Sequence, residues 1–264
     1  MADQGPNFSF FPAFDFKSFL SQIQRGAVPG YAYKQRHFFC LEASSTYFST
    51  FWSANTPSSY NFLTTPQTLR ISSTNSADTA LGTGARTVLI TGLNANYDVI
   101  TEIITLNGQV GVTTANIYFR INDLECQTYG TDKRNRGDIY LGSGTITGSG
   151  SNTNPQGFIL AGAVVSEVGV YTVPRGYALV SFDFELSVSA GKEASFRSQI
   201  RPNANAPFRA RGGRNVFEKN TETFEITTAV IYETSDIELQ VIANSGDTKV
   251  GADMQTALVD VKFL

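Results

Sequence analysis

Between Thr87 and Gly108 the chain reads TVLIT, GLNANYD, VITEIITL and then NG. Two β-branched apolar runs around a Gly/Asn cluster do not present the i, i+3, i+4 stripe of an amphipathic helix. They fit strands joined by a turn, and Asn107-Gly108 is the strongest short-range signal for a hairpin. The same alternation of run and turn recurs. Thr68–Ile71 is a short alternating run, and IYFRINDLECQT, Ile117 to Thr128, alternates Tyr118, Arg120, Asn122 and Leu124 against Phe119, Ile121, Asp123 and Glu125. Further along, YALVSFDFELSVS sets Phe182, Phe184, Leu186 and Val188 against Asp183, Glu185 and Ser187. Roughly ten to twelve strands at this spacing predict an all-β protein, and the lack of helical crossovers predicts antiparallel pairing. The expected architecture is an antiparallel β-sandwich of jelly-roll-like type, as one body or as two β-lobes.

Composition supports that class and narrows the function. Charged residues make up 16% of the 264, and 20 Phe, 11 Tyr and 23 Gly stand where a helical protein would carry Glu, Lys, Leu and Ala. A net charge of −3 gives no basic field for nucleic acid. No run of about 18 apolar residues exists to cross a membrane as a helix. The beginning of the sequence lacks a basic segment followed by an apolar one, so a secretory signal is not expected and Asn7-Phe8-Ser9 carries no glycosylation argument.

Residues 1–60 differ from the rest and are expected to form an extended arm, with a β-sandwich over 61–264. Phe8, Phe10, Phe11, Phe14, Phe16 and Phe19 are crowded between Pro, Gly and polar residues without a period of two. Asp15–Ile23 fits one short helix with Phe16, Phe19, Leu20 and Ile23 on one face. Such rings need a surface, either their own domain or a neighbouring subunit. GSGTITGSGSNTNPQG, Gly142 to Gly157, reads as an exposed loop or as the joint between two lobes.

Motifs for chemistry are weak. Gly82 and Gly84 are followed by Thr87 where a dinucleotide loop needs a third glycine, and the β-branched run beyond is a poor helix opener. They are expected as turn residues. Gly191-Lys192 lacks the spacing of a phosphate loop. His37, the sole histidine, is three residues from Cys40, with neither a serine elbow nor a cysteine-protease context. Asp183 and Glu185 stand about 7 Å apart on one strand face, a distance compatible with glycosidase chemistry but equally with a solvated face. No metal-ligand spacing surrounds Cys40 or Cys126, which are open to pairing or to being free. Arg136-Gly137-Asp138 sits in a charged turn. From Arg197 to Lys219 the chain carries Arg197, Arg201, Arg209, Arg211 and Arg214 in a Pro/Asn/Gly-rich, loop-like stretch. Such a loop suits phosphate or an acidic patch on a protein partner, whereas Phe208, alone in its middle, leaves too few interleaved aromatics for single-stranded nucleic acid.

Several elements together bear a family likeness. Thr68-Leu69, Ile71-Ser72-Ser73, Asp78-Thr79 and Gly82-Thr83-Gly84-Ala85-Arg86-Thr87 are followed by Gly92-Leu93, Asn96-Tyr97, Thr105-Leu106-Asn107-Gly108, Val112-Thr113-Thr114 and Arg120-Ile121. With YTVPRGYALV and RPNANAPFR later, residues 50 to 264 resemble a family of virion-associated proteins from viruses of aquatic microbes, particularly cyanophages. The resemblance implies a β-rich, non-enzymatic structural component located in the virion, without cofactor or metal. An accessory capsid (decoration) protein is the first expectation, and a tail or fibre component recognising host glycan is the alternative. Expected partners are further copies of the chain, with a trimer favoured, and other virion proteins. Phe8, Phe10, Phe11, Phe14, Phe16, Phe19, Arg209, Arg211 and Arg214 are the expected interface residues.

Overall fold

A computed structural model describes residues 21–40, 43–52, 59–217, 222–225, 230–244 and 248–264. Seventeen strands occur among them, all paired antiparallel. In chain order they are β1 (Tyr31–Cys40), β2 (Ser49–Thr50), β3 (Arg70–Ser73), β4 (Ala85–Leu93), β5 (Val99–Thr105), β6 (Val112–Thr113), β7 (Arg120–Tyr129), β8 (Ile139–Gly142) and β9 (Pro155–Ile159). There follow β10 (Val170–Thr172), β11 (Tyr177–Val188), β12 (Glu193–Arg201), β13 (Arg209–Phe217), β14 (Glu222–Glu225), β15 (Val230–Ile231), β16 (Asp236–Ala243) and β17 (Val250–Asp260).

The strands form four sheets rather than the two of a single jelly roll. Sheet A runs β1-β17-β11-β14 with β15 also on β11, and sheet B runs β10-β16-β12-β13 with β2 on β16. Sheet C runs β6-β3-β8-β9, and sheet D runs β5-β4-β7. Sheets A and B share a core in which Leu186, Val188, Val250 and Met254 meet Phe196, Leu239 and Val241. Sheets C and D share another, in which Leu69, Ile71, Ile139, Leu141 and Ile159 meet Val88, Ile90, Ile104, Ile121 and Leu124. Alternation along each strand puts these residues on one face, which is why the burial follows the period of two. The second pair of sheets is built from β3 to β9 without interruption and is inserted between β2 and β10 of the first. We call these the inserted lobe and the outer lobe.

This arrangement bears on three expectations. Gly142–Gly157 is not a joint between lobes: it begins and ends in the β8–β9 pair, and its tip is closed by an Ile146↔Asn152 bridge. The lobes meet instead at a small apolar cluster of Trp52, Tyr60, Tyr140, Phe158, Val168 and Val170. Asn107-Gly108 does form a tight turn, with an antiparallel Asn107↔Val110 bridge and the Val110 N–H donating to the Asn107 carbonyl at 3.1 Å, but the strands on either side, β5 and β6, lie in different sheets. Gly108 takes a φ of 57°, and the chain passes there from β5 in sheet D to β6 in sheet C. The longer hairpin is β4–β5, as the two runs around the Gly/Asn cluster suggested, closed over Asn94–Asp98 by Asn94 N–H to Asp98 carbonyl at 3.0 Å. Finally, Tyr31–Cys40 is not part of a separate arm: β1 pairs over its full length with β17, Tyr31 opposite Val259 to Cys40 opposite Val250. Ten β-ladder partners outweigh the aromatic irregularity that made this stretch read as separate.

Candidate functional site

The six phenylalanines Phe8, Phe10, Phe11, Phe14, Phe16 and Phe19 lie outside the described residues. Among the described residues the basic stretch is strand on either side of a short connection at 202–208, rather than one loop. Arg201 ends β12, and Arg209 opens β13, the outermost strand of sheet B. Arg209 and Arg211 are exposed and make no ion pair among the described residues. Ser198 faces Gly212 and Gln199 faces Ala210, so Arg211 is the extra residue of a bulge. Arg214 stands opposite Phe196 in the ladder. A bulge and two charges on an outer strand blunt it against pairing with another sheet edge, and leave two guanidinium groups for an acidic surface.

Other members of the basic run are used inside the molecule. Arg120 of β7 and Arg201 of β12 both hold Asp236 of β16, and this node joins the inserted lobe to the outer one. Arg120 donates from Nε to Oδ1 at 2.8 Å and from Nη2 to Oδ2 at 2.9 Å, while its Nη1 reaches the carbonyls of Leu63 and Phe119. Arg201 donates from Nε to Oδ2 at 2.7 Å, and the Thr172 hydroxyl donates to Oδ1 at 2.6 Å. Arg120 and Asp236 are 2% and 0% exposed, so water screens neither charge. The second positive charge rests against rings: Arg201 lies 4.7 Å from the centre of Phe62 and 4.5 Å from that of Phe208, and Arg120 lies 4.0 Å from Phe119. Phe208, in the middle of the basic stretch, is thus a stacking partner for Arg201 rather than for a base.

Around the node the seam is closed by further polar pairs. Asn122 and Thr172 exchange two hydrogen bonds, at 2.8 and 2.9 Å, as two strand residues would. Thr50 donates its hydroxyl to Glu238 and accepts from the Tyr60 N–H. Burial holds the Glu238 carboxyl above its usual range, partly offset by hydrogen bonds from Thr50 and Gln240 and by Arg197. The Tyr60 hydroxyl donates to the Gln156 carbonyl, and burial raises its pKa well above a free phenol's. Every charge here is satisfied and sealed, which makes the seam a fastening rather than a reaction centre. Arg120 was visible in sequence as an alternating strand residue. Its partner stands 116 positions away, and nothing local marks either residue as one of a pair.

A second sealed carboxylate, Asp78, fixes one end of the inserted lobe. It accepts from the Ser73 hydroxyl and from the backbone N–H groups of Ala85, Arg136 and Gly137, at 2.6 to 2.9 Å. A Cβ on Gly84 would stand 2.0 Å from Asp78 Oδ1, and one on Gly82 would stand 1.9 Å from the Ala77 carbonyl oxygen. Both glycines serve close packing ahead of β4, and a strand follows them instead of a helix N-terminus. The Arg-Gly-Asp turn is spent on the same hub. Gly137 is buried, Arg136 pairs with Asp132, and the Asp138 carboxylate accepts from the Ala161 N–H.

The remaining chemical candidates are dispersed. His37 and Cys40 lie on β1, and Cys126 lies on β7 in the other lobe. The Cys126 thiol is free and buried, and burial pushes its pKa up to about 12, the opposite of what a nucleophile needs. Glu185 lines a cleft of about 530 Å³ between Leu160–Ala163 and the β11 and β17 residues Ser187 and Gly251–Asp253. Among the described residues no group of three or more His, Cys, Asp or Glu is placed to hold a metal ion.

No family model and no curated protein matches the chain. Among solved structures it shows weak structural similarity to capsid proteins of infectious bursal disease virus. The Gx strain structure aligns at 10% identity and TM-score 0.26 over 92% of this chain and 78% of that one. The VP2 subviral particle aligns at 11% identity and TM-score 0.20 over 91% and 76%. At these TM-scores the alignments assign no fold.

Proposed function

We propose that the protein is a non-enzymatic structural component of a virus particle, an accessory capsid protein that works as a homo-oligomer, with a trimer the favoured form. The observation that carries this reading is where the family-like residues fall. Leu69, Ile71, Ser72, Ser73, Asp78 and Ala85 are all fully buried, and Arg120 is the junction arginine. What the chain has in common with the virion-associated family of aquatic viruses is therefore a frame, not a constellation of reacting groups. Exposed Arg209 and Arg211 on the outer strand of sheet B supply the contact to an acidic neighbour, and the aromatic N-terminal segment supplies another. A tail or fibre role in glycan recognition has less support, because Gly142–Gly157 contains no aromatic ring to stack on a sugar.

Immunogold labelling of intact particles with antibody to the recombinant protein tests the reading. Label spread over the head is expected. Label confined to the tail would replace the capsid role by host recognition, and unlabelled particles would remove the protein from the virion. Incubation with host surface polysaccharide is expected to release no reducing sugar, and release that disappears in Glu185→Gln would make the protein an enzyme.

A further inference from the structure

Sheet A turns Leu186, Val188, Val250 and Ala252 toward the core it shares with sheet B. Alternation sends Glu185, Ser187, Gly251 and Asp253 to the opposite face, where they line the cleft of about 530 Å³ against Leu160–Ala163. Glu167 lines it as well, so three acidic residues border one cleft, and no lysine or arginine is among its lining residues. Glu185 and Asp253 are direct ladder partners. Like charges directly opposite on adjacent strands, with Cβ atoms about 5 Å apart, repel one another, and the cleft is thereby biased toward cations.

The wall across the cleft is low and fixed. Ala161, Gly162 and Ala163 bring no long side chain to it. Buried Asn135 donates from Nδ2 to the Leu160 carbonyl at 2.8 Å and accepts at Oδ1 from the Val164 N–H at 3.2 Å. Its own carbonyl accepts from the Gly162 N–H at 3.0 Å, and the Asp138 carboxylate holds the Ala161 N–H at 2.9 Å. Among these bonds Val164 stands at a φ of 62°, a left-handed conformation that is costly for a β-branched residue. A cleft walled in this way is formed before anything enters it, which lowers the ordering cost of binding.

Arg209 and Arg211 of β13 match this cleft in charge and in spacing. Both are exposed, and neither makes an ion pair among the described residues. Two positions along a strand are about 7 Å apart, close to the separation of Glu185 from Asp253, and each guanidinium offers a carboxylate two parallel donors. The arginines of the same chain do not serve the cleft: β13 belongs to sheet B, which packs on the other face of sheet A, roughly 10 Å away. We infer that β13 of one copy docks at the cleft of a second copy, with Arg209 and Arg211 against Glu185 and Asp253. The inference rests on the homo-oligomer reading above and names its contact. Donor and acceptor surfaces differ, so the contact is head to tail, the kind that closes into a ring.

Sedimentation of the full chain at low salt tests it. Arg209→Glu with Arg211→Glu, and separately Glu185→Arg with Asp253→Arg, are each expected to weaken association at least about 100-fold. All four substitutions in one chain exchange the charges across the contact and are expected to restore association to within about tenfold of the parent. A combined variant that associates no better than either half would overturn the contact. Neutral substitutions ask the same question without added charge. Arg209→Ser with Arg211→Ser, and Glu185→Gln with Asp253→Asn, are expected to weaken association by factors that do not multiply when the two pairs are combined. Factors that do multiply would mean that the two surfaces meet different partners, and would overturn it. An oligomer indifferent to the cleft substitutions would overturn this contact and leave the homo-oligomer standing. A parent that is monomeric at its highest soluble concentration would overturn the homo-oligomer itself.

Discussion

Asp78 and Asp236 are both carboxylates sealed from solvent, yet they are satisfied in different ways. Asp78 is held by one hydroxyl and three backbone N–H groups from Ser73, Ala85, Arg136 and Gly137. All four belong to the inserted lobe, and they tie its loops to the start of β4. Asp236 is held by two arginines and a threonine, and Arg120 comes from the other lobe. Neutral dipoles suffice for the first because a carboxylate accepting several N–H bonds needs no counter-ion. The second brings formal charges together across a seam, so that the two lobes are stable as a pair only while the charges remain matched.

Removing the acidic centre of the seam should have the largest effect. Asp236→Ala leaves Arg120 and Arg201 buried without an anion, and a loss of about 3–5 kcal/mol is expected. Urea unfolding should then split into two transitions as the lobes part. A single transition with an unchanged midpoint would show that the apolar cluster around Trp52 and Tyr140 holds the lobes without the node. Asp78→Asn should come next, with about 2–3 kcal/mol lost, because the amide nitrogen replaces an acceptor with a donor facing other donors. Amide exchange should accelerate over 73–85 and 135–138 and leave the seam protected. Acceleration spread evenly over both lobes would abolish the distinction between a hub internal to one lobe and a joint between two.

The effect of pH on the seam is smaller and has a defined sign. Burial raises the Glu238 carboxyl in the folded protein, so the folded state binds its proton more tightly than the unfolded chain does. Its contribution is fully present below the unfolded value and is lost as pH rises through the folded one. Glu238→Gln should therefore flatten the fall in stability just above the ordinary glutamate range, as read from urea midpoints at successive pH values. A parallel displacement of the whole profile would show that Glu238 does not titrate there. The smallest effect on folding is expected from Arg209→Ser with Arg211→Ser. The unfolding midpoint should not move, while assembly should weaken at low salt and converge with the parent at high salt. Unchanged assembly at low salt would leave the bulge and its charges as edge protection alone.

Much of the strand content was legible because a strand announces itself within a few residues. Thr87–Thr91, Val99–Thr105 and Arg120–Thr128 all lie in strands, since alternation and β-branching are local properties. The glycines at 82 and 84 were legible as turn residues for the same reason. Arg201–Arg214 misled because Pro202, Asn203 and Asn205 mark a turn but do not show how soon the strand resumes. Tyr31–Cys40 misled in the reverse direction, since its only evidence of being a strand is the partner 210 or more residues later.

The period of two, the Gly and Asn turns and the scarcity of charge determined from sequence alone that this chain is antiparallel β. Tertiary structure decided that one lobe is inserted into the other, that Gly142–Gly157 is a hairpin tip, and that Arg120, Arg201 and Asp236 meet. The reason is physical. Alternation sets which face of a strand is apolar, but not which other strand lies beside it. A buried ion pair exists only where packing has already brought its members out of water and into reach.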